Sequence, residues 1–389
     1  MDDTLLGIRR KPALQQPVWE NHEQVERVRR ELAARPPLVG EDQVRALRAA
    51  LAEVALGRAQ LVQAGDCAED PEESTARDVQ RKAALLDLLA GTMKMTAQRP
   101  VVRVGRLAGQ FAKPRSRPTE TVDGVELPVY RGHMVNGPEA DAVSRRPDPL
   151  RMLTGYMAAN EIMGHLGWRR PAAAVPEAPV WTSHEALLLD YELPQIRVCE
   201  DGGLLLASTH FPWIGERTRQ VDGAHVALLS EVVNPVACKV GPGMEVDELL
   251  ALCEVLDPHR EPGRLTLIAR MGAEAVADRL PQLAKAVLHA GHPVIWLSDP
   301  MHGNTVSAPC GLKTRFVDTV VQEVRAFRFA VESVGGVAGG LHLEATPDEV
   351  TECVADRSEA GRVDEAYTSL CDPRLNPAQA VSVVAAWQD

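Results

Sequence analysis

Four side chains of this 389-residue sequence carry metal-ligand chemistry: Cys67, His302, Glu344 and Asp372. A thiolate, an imidazole and two carboxylates make a mixed donor set that suits Mn, Fe, Co or Zn, and the residue types do not choose among these ions. A lone cysteine is ordinarily a small core residue, so the set has meaning only if the four converge. A second chemistry is signalled by residues 103–117, where Arg103, Arg106, Lys113, Arg115 and Arg117 occur without a single acid. Arg217, Arg219, Lys239, Arg270 and Lys313 add cations further along. The planar fork of arginine and the point charge of lysine recognise phosphate and carboxylate groups. Many like charges share a pocket only where anions neutralise them, so the expected ligands carry several phosphates or carboxylates.

Residues so far apart in sequence need a scaffold that brings loop after loop to one place. From about residue 60, short apolar runs alternate with longer stretches of helical periodicity, the pattern of an α/β fold. The runs fall at 61–64, 101–104, 179–181, 204–207, 236–238, 265–269, 294–297 and 341–343, with a weaker ninth at 367–370. Between them, Val79, Ala83 and Leu86 form one helical stripe, and Phe316, Val320, Val324, Phe327 and Val331 another. Nearly every run ends in a ligand, a cation or a hydrogen-bonding residue: Cys67, Arg106, His184 with Glu185, His210, Lys239, Arg270, His302 and Glu344. In a (β/α)8 TIM barrel those ends meet at one mouth, where active sites are built. A doubly wound sheet would place a glycine fingerprint after its first strand, and Gly65-Asp66-Cys67 is not one. The glycine-rich stretch 335–340 precedes a strand and reads as a loop. His210 and His342 read as structural, and Trp181, Trp213 and Trp296 as packing.

Ahead of the barrel, residues 22–34 and 41–57 read as helices broken at Pro36-Pro37. The expected organisation is a short N-terminal helical extension, 1–59, followed by the catalytic barrel, 60–389.

Composition narrows the partners. With 42 basic against 54 acidic residues the formal charge is -12, which disfavours a phosphate backbone or an anionic membrane. No apolar stretch approaches the ~18 residues of a membrane span, and Met1-Asp2-Asp3 does not open a signal peptide. Seven scattered cysteines without a CxxC pair suit a reducing compartment. The expectation is a cytoplasmic protein that contacts neither nucleic acid nor membrane.

Ten ordered segments then resemble the type II 3-deoxy-D-arabino-heptulosonate 7-phosphate (DAHP) synthases. They are QAGDCAE (63–69), GRLAGQFAKPRS (105–116), TSHEALLLDYE (182–192), GERTRQVDGAH (215–225), NPVACKVGP (234–242), LIARMGA (267–273), DPMHGNT (299–305), GLKTR (311–315), HLEATPDEVTEC (342–353) and CDPRLNPAQA (371–380). The resemblance implies a transferase that condenses phosphoenolpyruvate with erythrose 4-phosphate and water, giving DAHP and phosphate in the first shikimate-pathway step. It implies a divalent metal, with manganese placed ahead of cobalt, iron and zinc, held by Cys67, His302, Glu344 and Asp372. Phosphoenolpyruvate would be held by Arg106, Arg217, Lys239 and Arg270, Lys113 would be shared between the substrates, and Arg115 with Ser116 would hold the aldose phosphate. Glu216 is the candidate to orient the attacking water.

The chain looks like the short members associated with phenazine and other secondary pathways, which implies insensitivity to aromatic amino acids; a homo-oligomer is also expected. One departure is visible: Arg131-Gly132-His133 stands where the family usually reads RGD, which bears on rate or on aldehyde preference. Cys67 and Cys371 flank the expected site and could form an inactivating disulfide. Two other readings stay open: an amino-DAHP synthase accepting an amino or imino aldose phosphate, and a non-catalytic paralogue serving as a binding subunit.

Overall fold

A computed structural model of the chain describes residues 2–122, 124–169 and 180–388. Eight strands form its centre: β1 (Gln60–Gly65), β2 (Val101–Arg106), β3 (Trp181–Ser183), β4 (Trp213–Ile214), β5 (Val236–Val240), β6 (Leu265–Ala269), β7 (Ile295–Ser298) and β8 (Ala338–Glu344). They pair in parallel in the order β3-β2-β1-β8-β7-β6-β5-β4. The two ends of that row meet through backbone bonds, Phe211 N to Thr182 O at 3.1 Å, Trp213 N to His184 O at 3.1 Å and Ala186 N to Trp213 O at 2.9 Å. The sheet is thereby a (β/α)8 barrel without a free edge.

Helices α1 (Asp2–Arg9), α2 (His22–Ala34) and α3 (Glu41–Ala55) precede the first strand. The spacing of Leu47, Leu51 and Val54 gives α3 one apolar face, and that face packs beneath the barrel against Ile268, Ile295 and Leu297. Each of these fully buried side chains contributes roughly 1.5–3 kcal/mol. Gly339 is needed for this closure, because a Cβ there would come within 2.4 Å of Ile295 and 3.0 Å of Val54. Around the barrel run α4 (Ala76–Ala97), α5 (Arg151–His165), a single turn α6 (Leu189–Glu192), α7 (Ala224–Glu231), α8 (Val246–Leu256), α9 (Val276–His289), α10 (Val317–Glu332) and α11 (Pro377–Ala385). Residues 170–179, the proline-rich link and the start of the run at 179–181, lie outside the described residues. Among the described residues no helix is long and apolar enough to cross a membrane.

Three expectations need correction. The run at 204–207 is not the fourth barrel strand: Leu204–Leu206 pairs antiparallel with Ile196–Val198 in a hairpin outside the barrel. The true fourth strand, β4, has two residues, too few for any periodicity to register. An apolar run reports burial and not the strand it pairs with. The run at 367–370 is an irregular loop, and the glycine stretch 335–340 is not all loop, since Ala338, Gly339 and Gly340 belong to β8.

Candidate active site

At the C-terminal end of the barrel lies a cleft of about 470 Å³. Eight lysines and arginines line it against four acids, in a chain whose overall charge is -12. The loop after β2 supplies Lys113, Arg115 and Ser116, β2 itself Arg106, and the loop after β4 Glu216 and Arg217. Lys239 comes from β5, and Arg270 directly follows β6. Replacing the fourth strand puts Glu216 and Arg217 at a true strand end. His210, the expected strand end, is buried away from the cleft, its Nδ1 bonded to Thr182, and burial lowers its pKa to about 3.

Where His302 and Asp372 line this cleft the four ligand types meet, with Cys67 and Glu344 buried just beneath. The donor atoms of Cys67, Glu344 and Asp372 all lie within 4.8 Å of one another. His302 stands just outside that triple with Nε2 3.2 Å from Glu344 Oε1. Its Nδ1 faces Asp299 Oδ2 at 2.8 Å, the carboxylate-to-imidazole arrangement that turns the other ring nitrogen toward a metal. Two donors on one ion stand at most roughly 4.6 Å apart, so the triple is close to the compactness a shared cation requires.

The Lys113 ammonium now stands among these donors, bonded to the Cys67 thiol, 2.9 Å from Asp372 Oδ2 and 3.5 Å from Glu344 Oε1. Burial raises the Cys67 thiol well above its ordinary pKa, with Cys371 and Glu344 adding to the effect. A thiolate here therefore needs a strong cation beside it, and bound metals deprotonate coordinating thiols. The residues present fit a divalent ion. Cys371 belongs to the same small buried cluster as Cys67 and Tyr130, and no disulfide joins the two cysteines.

Buried polar groups fix these side chains. Arg106 donates to Glu344 Oε1 at 3.0 Å and to His342 Nε2 at 2.8 Å, while His342 Nδ1 meets Gln63 Oε1 at 2.7 Å. Burial, then Lys239 and Arg106, hold His342 well below its usual pKa, so it is the neutral acceptor Arg106 needs. Fully buried Arg315 was not singled out in the sequence; its Nη1 lies 2.9 Å from Glu344 Oε2, at ion-pair distance though not aligned as a hydrogen bond.

Three carboxylates that no sequence argument identified position the loops themselves. Buried Glu69 accepts the successive amides of Ala108, Gly109 and Gln110 at 3.0, 2.8 and 2.7 Å, fixing the loop that carries Lys113. Glu323 on α10 accepts Gly272 N at 2.9 Å and an Asn304 amide proton, linking the loops of Arg270 and His302. Glu352 accepts from Arg374, Thr368 N and Ser369 N, and so shapes the loop holding Asp372. Their signal in the sequence was only that each sits inside one of the ordered motifs or, for Glu323, on a helix stripe.

Glu185 and Glu216 line this cleft, and each keeps one buried carboxylate oxygen without a hydrogen-bond partner. His133 does not line the cleft; it packs edge-on against Tyr130 at 5.6 Å, with Nε2 3.8 Å from Asp70 Oδ2, and burial lowers its pKa.

Burial lowers the Lys239 pKa to about 8 against the opposing pull of Asp299. The ammonium form is complete below that pH and lost above it. An anion held by Lys239 should therefore bind more weakly as pH rises through about 8, and Asp299→Asn should move the midpoint lower. Titration of ligand affinity from neutral to alkaline pH checks this; a flat profile would remove Lys239 from the binding set.

A profile of the class II DAHP synthetase family matches residues 4–168 and 159–386 of the chain. A Pseudomonas fluorescens protein named "Probable phospho-2-dehydro-3-deoxyheptonate aldolase" is 60% identical over 390 residues, spanning 100% of this chain and 98% of its own length. A Streptomyces coelicolor protein named "Phospho-2-dehydro-3-deoxyheptonate aldolase" is 40% identical over 421 residues, spanning 96% of this chain and 94% of its own length. The family match runs through the N-terminal helices as well as the barrel, and the cleft with its ligand cluster lies wholly inside the matched segments: the chain belongs to the class II DAHP synthetase family, whose members depend on a metal.

Proposed function

We propose that the chain is a DAHP synthase, a transferase that joins phosphoenolpyruvate to erythrose 4-phosphate and releases phosphate. The observation that carries this reading is the juxtaposition of a strongly cationic cleft with a thiol, imidazole and carboxylate cluster at and just beneath its lining. Arg106, Arg217, Lys239 and Arg270 hold phosphoenolpyruvate; Lys113 lies between the substrates; Arg115 and Ser116 hold the aldose phosphate. Cys67, His302, Glu344 and Asp372 would hold the divalent ion, with manganese the first choice and cobalt, iron and zinc the others. When bound, that ion supplies Lewis acidity at the aldehyde oxygen.

The chain's own groups do the rest. The cations fix both anions so that the methylene carbon of phosphoenolpyruvate faces the aldehyde carbon, an alignment that replaces costly encounter entropy. As the new carbon–carbon bond forms, positive charge develops at C2 of phosphoenolpyruvate, and Glu216, in the cleft lining, orients the water that adds there. Cleavage of the C2–O bond then releases phosphate and leaves the ketone, while the former aldehyde oxygen takes up a proton.

Incubation with both substrates should release phosphate and seven-carbon keto acid in equal amounts. Replacing the erythrose phosphate with its amino or imino counterpart tests the aminoshikimate alternative. Arg217 is exposed and Arg270 half-buried. Arg217→Ala or Arg270→Ala should therefore cost roughly 1.5–3 kcal/mol of phosphoenolpyruvate binding, the range for hydrogen bonds to charged groups. Unchanged Michaelis constants in both variants would move these residues off the site.

We place the enzyme in the cytoplasm, as a homo-oligomer feeding chorismate-derived secondary metabolism of the phenazine kind. Unpaired cysteines support a reducing compartment. Among the described residues three helices precede β1, and α3 is committed to closing the barrel. Feedback needs a second site whose ligand distinguishes two states. Phenylalanine, tyrosine and tryptophan, singly or together, should therefore leave the rate unchanged at millimolar concentration, and inhibition by any of them would overturn this assignment.

A further inference from the structure

The N-terminal segment ahead of α2 reaches the rim of the cleft. Gln15 there has φ of 63°, a left-handed conformation that L residues rarely adopt. In that conformation its side-chain Oε1 accepts the backbone N–H of Arg115 at 2.9 Å. Arg131 donates through Nη2 to the Gln15 carbonyl at 2.8 Å and to the same Oε1 at 3.3 Å. No carboxylate pairs with Arg131 among the described residues, and Arg115 stands close enough to lower its pKa, after burial.

The segment does not need these bonds to stay in place. Pro12 O accepts Ala224 N at 2.9 Å, and Gln16 bridges Leu187 O at 2.8 Å and Leu189 N at 3.0 Å. Trp19 Nε1 donates to Asp190 Oδ2 at 2.7 Å. Fastened on both sides of Gln15, the strap spends an unfavourable backbone conformation on presenting one neutral amide to two arginines. A carboxylate at that point would satisfy the same donors and cancel their charge. An amide satisfies them and adds no negative charge beyond that of Glu120, which stands 3.6 Å from Arg115.

We infer that Gln15 is a positioning residue for the aldose-phosphate end of the cleft: a neutral acceptor that sets the Arg115 loop through its backbone amide and holds the neighbouring Arg131 side chain without adding a negative charge. This rests on the reading above that Arg115 holds the aldose phosphate. The four cations assigned to phosphoenolpyruvate come from β2, β5 and the strand ends of β4 and β6, and Gln15 touches none of them. The two substrates should therefore respond differently, which a general loss of stability would not produce.

Metal-loaded full-length enzyme tests this with Gln15→Gly, which keeps the left-handed backbone accessible and removes the amide, and Gln15→Glu, which keeps an acceptor and adds charge. Both should raise the KM for erythrose 4-phosphate by about threefold to tenfold, the worth of one net intramolecular hydrogen bond. The Kd for phosphoenolpyruvate, read by calorimetry, should stay within about twofold by the same reasoning. Equal KM values in wild type and both variants overturn the inference, as does a parallel loss of affinity for both substrates. If Gln15→Gly fails to fold, Gln15→Glu decides alone. Wild-type enzyme that binds no phosphoenolpyruvate and makes no DAHP instead overturns the functional reading, and this inference with it.

Discussion

Stripped of divalent ions by a chelator, the enzyme is expected to lose turnover entirely and to regain it on addition of one of the four candidate metals. Lewis-acid stabilisation is worth several kcal/mol and each ~1.4 kcal/mol is tenfold in rate, so the loss should reach at least roughly a thousandfold. Cys67→Ala should behave like chelated enzyme, with intact secondary structure, because the thiol is a small group whose removal leaves the ion pairs of Lys113 with Glu344 and Asp372 in place. At Glu344 the better variant is Glu344→Gln. This carboxylate is the buried counter-charge for Arg106, Arg315 and Lys113, and alanine would leave those cations unpaired. Loss of bound metal, read by elemental analysis of the purified variants, separates ligation from general damage. Full activity in metal-free protein would falsify the assignment. Reconstitution with manganese, cobalt, iron and zinc in turn ranks the ions, which the donor set alone leaves open.

The second large effect is expected on stability, at a buried residue that does not line the cleft. Glu352 is fully buried, and both its oxygens are occupied: Oε1 by Thr368 N, Ser369 N and Arg374 Nη2 at 3.0, 2.8 and 2.8 Å, Oε2 by Arg374 N and Nε at 2.7 and 3.1 Å. Arg374 continues to Asp66 Oδ1 at 2.8 Å, and Asp66 Oδ2 to Lys82 Nζ at 2.9 Å. The chain of charges ties the loop of Asp372 to the loop of Cys67. Removing one partner of such a buried pair strands the other, at a cost of about 3–5 kcal/mol. Glu352→Ala should lose that much in urea unfolding of the metal-free protein, where metal linkage cannot contribute. The surviving folded fraction should also bind metal more weakly. A variant as stable as wild type would show that Arg374 finds compensation elsewhere.

In this protein the sequence determined the chemistry of the mouth. Ligand types and cations are properties of residues, and their recurrence after apolar runs located Cys67, Arg106, Lys239, Arg270, His302 and Glu344 without a structure. It likewise determined most of the barrel, because strands such as Leu265–Ala269 are long enough and buried enough to read as continuous apolar runs. Tertiary structure alone decided the fourth strand. Trp213 and Ile214 form β4 only because Thr182, His184 and Ala186 offer backbone partners there, while the more apolar 204–206 segment pairs elsewhere. It also decided which polar residues hold the site. Glu69, Glu323 and Glu352 act on backbone amides, and Gln15 crosses from the N-terminal strap to a loop 100 residues away. Such bonds leave no mark in spacing or type: an acceptor buried against remote amides looks, in sequence, like any other glutamate or glutamine, and only folding brings its donors within reach.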